Sequence, residues 1–178
     1  YKWHMARPAN PNRREDILNA ARDEFVRKGF SDARMEDIAS RAGISKASVY
    51  LQFTSKEGVF RELVRGMIAE TLPRLAPADF AGRSAADALR TFVTGAFEVL
   101  TRPDVAFVPR LIVGEGHKFP ELARFYHEEA IVRLIEQLRR ILVYGVEQKE
   151  FSCAINAHTC RTVVGGIIVA ALWRIVLE

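Results

Sequence analysis

The 178-residue sequence holds only two cysteines, four histidines and seven prolines. Cys153 and Cys160 lie seven apart, which on one helix separates them by about 10 Å, beyond the reach of a disulfide. No Cys/His cluster accompanies them, so neither zinc nor any other metal or cofactor is expected. Both are expected as reduced core or interface residues in the cytoplasm. Strand signatures are missing: there is no sustained period-two alternation and no Asn-Gly or Asp-Gly hairpin turn. The N-terminus lacks an apolar run followed by a small-residue cleavage site. The longest apolar stretch, residues 163–173, is interrupted by Gly165-Gly166 and closed by Arg174, short of the about 20 residues a bilayer needs. It is expected as a buried helix, with no membrane partner. Gly-x-Ser-x-Gly, Walker and His-Glu-x-x-His motifs are absent, and Gly114-Glu115-Gly116 lacks the third glycine and preceding strand of a dinucleotide loop. Catalysis is not expected.

What is present is a soluble-type composition, 49% hydrophobic and 27% charged, long enough to bury a real core. The net charge of +4 is unevenly placed: residues 1–66 carry 13 Lys/Arg against 9 Asp/Glu, and residues 67–178 carry 13 against 13. All of the excess lies in the N-terminal third, which matters only if that segment also carries a nucleic-acid motif.

Helical periodicity runs through almost the whole chain. Residues 1–10 read as a loose arm, with Met5 as the start of the native chain. A first helix is expected over 12–28, burying Ile17, Ala21 and Phe25 and closed by Lys28-Gly29. A second, over 33–42, is capped by Ser31 or Asp32 and ended by Gly43. Ser45 caps a short third helix to Gln52, and Ser55 a fourth that Pro73 stops. Pro73, Pro77 and Gly82 mark a boundary. Beyond it come helical patterns over 84–101, 104–116, 119–149 and 154–177. The expected architecture is all-α, with an N-terminal unit over 11–66 and a helical body over 67–178.

Residues 34–53 read R-M-E-D-I-A-S-R-A-G-I-S-K-A-S-V-Y-L-Q-F. Two helices meeting at a sharp turn need a small residue where they cross, a residue tolerant of positive φ in the turn, and apolar plugs behind. Ala39, Gly43 and Val49 stand at relative positions 0, 4 and 10, the spacing of a helix-turn-helix. The spacing alone also fits an ordinary helical corner. If Val49 and Phe53 face the core, Lys46, Ala47, Ser48, Leu51 and Gln52 face outward, an edge able to donate, accept and pack on a thymine methyl. Tyr50 and Lys56 then suit phosphate.

Read together, I-L-x-A-A, F-x-x-x-G-F, I-A-x-x-A-G-I-S and Y-x-x-F-x-S-K-E over about residues 13–66 resemble the N-terminal domain of TetR-family regulators. The resemblance implies a homodimeric, all-helical repressor with a helix-turn-helix DNA-binding domain and a C-terminal helical bundle for ligand binding and dimerisation. Its partners would be palindromic double-stranded operator DNA, a second copy and a small apolar inducer. By position it puts DNA contacts on Lys46, Ala47, Ser48, Tyr50, Leu51, Gln52 and Lys56. Where the family has a Thr-Thr or Thr-Ser pair this chain has Ala33-Arg34, so Arg34 is expected to replace a hydroxyl with a charge-assisted phosphate contact. The family also carries one more helix after L-W-R-I-V-L.

In the body, the apolar helices around residues 131–142 and 163–172, with Gly165-Gly166 and Ala170-Ala171 for close approach, fit either a dimer core or intrachain packing. Phe92, Phe97, Phe107, Arg110, Leu111, Tyr126, His127 and Trp173 are expected to line a ligand pocket, although aromatics at this spacing also serve as plain core. Two functions stay open: a ligand-gated repressor, or a DNA-binding module that takes a protein partner or nothing.

Overall fold

A computed structural model describes residues 12–75 and 82–178. The expected arm over 1–10, and Pro77 of the expected boundary, lie outside the described residues. Among the described residues every regular element is helical. The chain divides into two compact units, one through residue 63 and one from residue 64 onward.

The first unit is built from α1 (Arg13–Asp32), α2 (Met35–Arg41), α3 (Lys46–Tyr50) and the start of α4 (Lys56–Leu75). Ile17, Ala21 and Phe25 are buried as their spacing predicts. They join Phe30, Ile38, Val49 and Phe60, with the rings of Phe25, Phe30 and Phe60 between 5.4 and 6.0 Å apart. Gly29 interrupts α1 with φ 75° and ψ 179°, a conformation open to glycine at little cost. The last turn of α1 resumes beyond it. The cap of α2 is Arg34, in extended backbone and without a side-chain bond, and not Ser31 or Asp32. Those two residues belong to α1, whose extra turn consumes the expected linker. Ser55 accepts from the Gly58 amide as a cap should. Helix α4 does not stop at Pro73 but contains it and runs on to Leu75, whose side chain is buried in the core of the second unit. That burial offsets the hydrogen bond a proline removes.

The second unit comprises the rest of α4, α5 (Ala85–Thr101), α6 (Pro103–Glu115), α7 (Pro120–Tyr126), a π-helical turn (His127–Ile131), α8 (Val132–Glu147) and α9 (Ala157–Leu177). Helix α5 packs on both α8 and α9, and Phe92, Leu138, Ile141, Cys160 and Val164 form the heart of the core. Ser84 and Asn156 cap α5 and α9 through their side chains. The Glu150 carboxylate accepts from the Ala85 and Ala86 amides, tying the loop before α9 to the start of α5. Gly145 is dictated by close approach, since a Cβ there would lie 2.1 Å from the Phe151 ring.

Two expectations about the C-terminal region are corrected. Cys153 is exposed and precedes α9, so the cysteines do not share a helix and only Cys160 is core. Helix α9 is not buried all round: Cys160, Val164, Ile167 and Ala171 are covered, while Val169, Trp173, Val176 and Leu177 are exposed. At 21 residues it is long and apolar enough to cross a bilayer by length and composition, because it extends past the glycines on one side and Arg174 on the other.

Candidate nucleic-acid interface

The turn between α2 and α3 is fixed by its own backbone. The Gly43 amide donates to the Ser40 carbonyl and the Ile44 amide to the Ala39 carbonyl, closing a Schellman motif around Gly43 at φ 66°. Ser45 then caps α3, its hydroxyl accepting from the Ser48 amide at 3.2 Å and lying 2.9 Å from the Ser48 hydroxyl. Ile38, Ala39, Val49 and Phe53 are buried behind the turn. With Val49 and Phe53 turned inward, the opposite edge of α3 faces outward: Lys46, Ala47, Tyr50, Leu51 and Gln52 are exposed and Ser48 is half-buried. Leu51, 82% exposed, is an apolar side chain held in water.

Charged side chains lock α2 to α1. Glu24 on α1 is 2% exposed, and its carboxylate accepts from Arg41 Nε at 2.8 Å and from Arg27 at 3.0 and 3.1 Å, with Lys28 Nζ at 3.2 Å. Burial pushes this carboxyl up, but the bonds from Arg41, Lys28 and Arg27 together outweigh it and hold it at about 2. Lys28 also reaches Asp37 on α2 at 2.8 Å. No sequence signal marked Glu24, because a lone acid inside a helical run reads as solvent-facing.

Both lysines expected to contact DNA already have partners within the chain. Lys46 is ion-paired with Glu36 on α2, and the pairing holds the Glu36 carboxyl below and the Lys46 ammonium above their usual ranges. Lys56 donates to the carbonyls of Phe30, Ser31 and Ala33 at 2.7, 3.0 and 3.2 Å, and its ammonium sits 4.6 Å over the Phe30 ring. It thereby closes the α1–α2 junction. Arg34 is exposed at the start of α2.

Comparison with known proteins decides the family. The profile described as bacterial regulatory proteins, tetR family, matches residues 17–63, and that of the AefR-like transcriptional repressor C-terminal domain matches 87–177. The chain belongs to the TetR family. It is 31% identical over 143 residues to the HTH-type transcriptional regulator YfiR of Bacillus subtilis, covering 78% of this chain and 68% of that one. The TetR-family transcriptional regulator PfmR of Thermus thermophilus superposes with a TM-score of 0.67 at 29% identity, over 88% of this chain and 85% of its own. The fatty acid degradation regulator FadR of Bacillus halodurans shares the fold, with a TM-score of 0.77 at 20% identity over 94% and 86% of the two chains. The protein is thus a DNA-binding transcriptional regulator with the helix-turn-helix inside the matched N-terminal region.

The second unit contains a cavity of about 70 Å3, partly open to solvent. Val64, Met67, Ile68, Thr71, Leu72 and Leu75 of α4 form one wall; Ala96, Val99 and Leu100, Val105 and Val108, Tyr126, and residues 130, 131, 134 and 168 close the others. Of the eight side chains expected to line a pocket, only Tyr126 lines this cavity. Phe92 is wholly buried in the core, and Phe107 and Leu111 are buried on α6 without lining the cavity. Phe97 instead flanks an open groove between α5 and α9, with Arg174 5.6 Å over its ring. Arg110 donates to the Ile175 carbonyl, and His127 and Trp173 are exposed. Helical spacing tells which residues share a face but not which neighbour that face meets. The missed signal was in α4, whose apolar residues from Val64 to Leu75 continue at helical spacing beyond the motif.

Proposed function

We propose that this regulator is a cytoplasmic, homodimeric repressor that holds a palindromic operator through α3 and leaves it when a small apolar molecule occupies the body. The observation that carries the DNA reading is the outward edge of α3: exposed Ala47, Tyr50, Leu51 and Gln52 over the buried plugs Val49 and Phe53. A water-exposed Leu51 beside Ala47 suits a thymine methyl, Gln52 and Ser48 suit base edges, and Tyr50, Lys46 and Arg34 suit phosphate. Self-association is supported by Val169, Trp173 and Val176, exposed at helical spacing on α9, and by Gly165 and Gly166, where an added Cβ would meet open space. Among the described residues those glycines ease no contact, which leaves room there for the close approach of a second copy. Two heads must then present α3 about 34–36 Å apart to enter successive major grooves. Gating is supported by α4, one helix that starts beside the motif at Lys56 and forms a wall of the cavity from Val64 onward.

The test is fluorescence anisotropy with duplexes the protein itself selects from random fragments. Gln52→Ala and Ser48→Ala are expected to relax preference at particular base pairs, and Tyr50→Phe to weaken all sequences alike. Uniform weakening by Gln52→Ala would refute the readout assignment. The cavity's small volume favours the second reading, a DNA-binding module ungated by any small ligand; release of DNA by a cavity-binding molecule decides against it.

A further inference from the structure

The wall of the body cavity carries no charged side chain. Of its sixteen lining residues, fourteen are apolar and the others are Thr71 and Tyr126. Thr71 spends its proton on the Met67 carbonyl, 2.7 Å away and one turn back on α4, so toward a guest it only accepts. The Tyr126 hydroxyl has no hydrogen-bond partner among the described residues, and burial alone pushes its pKa up to about 12, so at neutral pH it remains a donor. The two cations of α4 within this stretch do not line the cavity: Arg65 stacks 5.2 Å over the Phe125 ring and Arg74 pairs with Glu70 at 3.8 Å. A carboxylate or ammonium drawn inside this wall would shed its hydration with no counter-ion to replace it.

Size narrows the guest further. A cavity of about 70 Å3 is roughly half the volume, about 150 Å3, known to admit benzene. The lining is aliphatic apart from Tyr126, so a ring would find little to stack on. A chain one carbon wide can enter such a slot and leave its far end at the open side.

We propose that the cavity binds an uncharged molecule with an unbranched, alkyl-like apolar portion and one neutral hydrogen-bonding group seated at Tyr126. This rests on the gated reading and names its ligand class. Binding is measured by calorimetry and by thermal midpoint on the full chain at neutral pH, with 1-octanol, octanoate and octylamine as probes. Octanol is expected to bind and raise the midpoint, with both charged analogues at least about tenfold weaker. Tyr126→Phe should weaken octanol about tenfold while leaving the unliganded midpoint in place, and Ala130→Phe, which fills the slot, should abolish binding. Octanoate or octylamine binding as tightly as octanol overturns the proposal, as does an absence of octanol binding or full affinity in Tyr126→Phe. DNA binding by the same samples separates the two readings. Intact DNA binding without octanol binding sinks the ligand class alone, whereas octanol binding that leaves the DNA in place sinks the gating.

Discussion

Glu24 is the point at which the DNA-binding unit is most sensitive to a single proton. Its carboxylate is almost fully buried and is shared by Arg27, Lys28 and Arg41, the last belonging to α2. A carboxyl held at about 2 instead of 4.5 corresponds to roughly 3 kcal/mol of stability at neutral pH. Arg27 and Arg41 are 57% and 36% exposed, so solvent screens part of this and about 2 kcal/mol is the working figure. Because the folded value is the lower one, the contribution is complete above the unfolded carboxyl range and is lost as pH falls from about 4.5 through 2. Glu24→Gln keeps the shape but removes the charge, leaving three cations around a neutral amide. Hydrogen exchange of the α2 amides on the full chain isolates this unit from the unfolding of the body. The variant is expected to lower their opening free energy by about 2 kcal/mol at neutral pH and to flatten their acid dependence. If wild type and Glu24→Gln lose protection in parallel between neutral and strongly acid pH, the carboxylate is not the acid-labile latch and the argument fails.

Three further outcomes follow from the same geometry. Glu36→Gln releases Lys46 from its intramolecular carboxylate, so DNA binding should tighten for all sequences and the salt dependence should steepen by about one ion; an unchanged slope would show that Lys46 does not reach phosphate. Lys56→Met should lower thermal stability by about 1–2 kcal/mol by orphaning three carbonyls, with the salt slope unchanged if the ammonium stays on them in the complex. A slope lowered by about one would place Lys56 on phosphate. Val169→Glu and Trp173→Glu put charge on the exposed apolar stripe of α9 and should turn a dimer into monomer in sedimentation velocity, costing about 2–4 kcal/mol of association; an unaltered sedimentation coefficient would move the dimer surface elsewhere.

The helix-turn-helix was legible in the sequence because its determinants are local. Ala39, Gly43, Ser45 and Val49 lie within eleven residues, and each has one conformational or steric task that its side chain announces. Glu24 was not legible for the opposite reason: its partner Arg41 is seventeen residues away on another helix, and only tertiary structure brings them together. The cavity failed similarly. Of the side chains expected there, Phe92, Phe107 and Leu111 are buried and Trp173 is exposed, but the space itself opens where aliphatic side chains from five helices and the π-helical turn fail to meet. The apolar run of α4 announces a covered face but not the void beside it, since a void belongs to no single residue.

Helix α9 shows where composition informs without deciding. A helix apolar on nearly every face must be covered nearly all round, by its own chain, by another protein or by lipid. Its own chain covers the stripe through Cys160, Val164, Ile167 and Ala171. The remaining apolar area at Val169, Trp173 and Val176 is left in water, where burying each of these side chains is worth about 1.5–3 kcal/mol. A bilayer would have to strip the packed stripe from α5 and α8 as well as cover the exposed one, exposing Phe92 and Leu138 in exchange. A second copy covers only what is bare and leaves the core intact. On that balance a protein surface is the cheaper cover for the exposed stripe of α9, and that is why the proposed self-association is placed there.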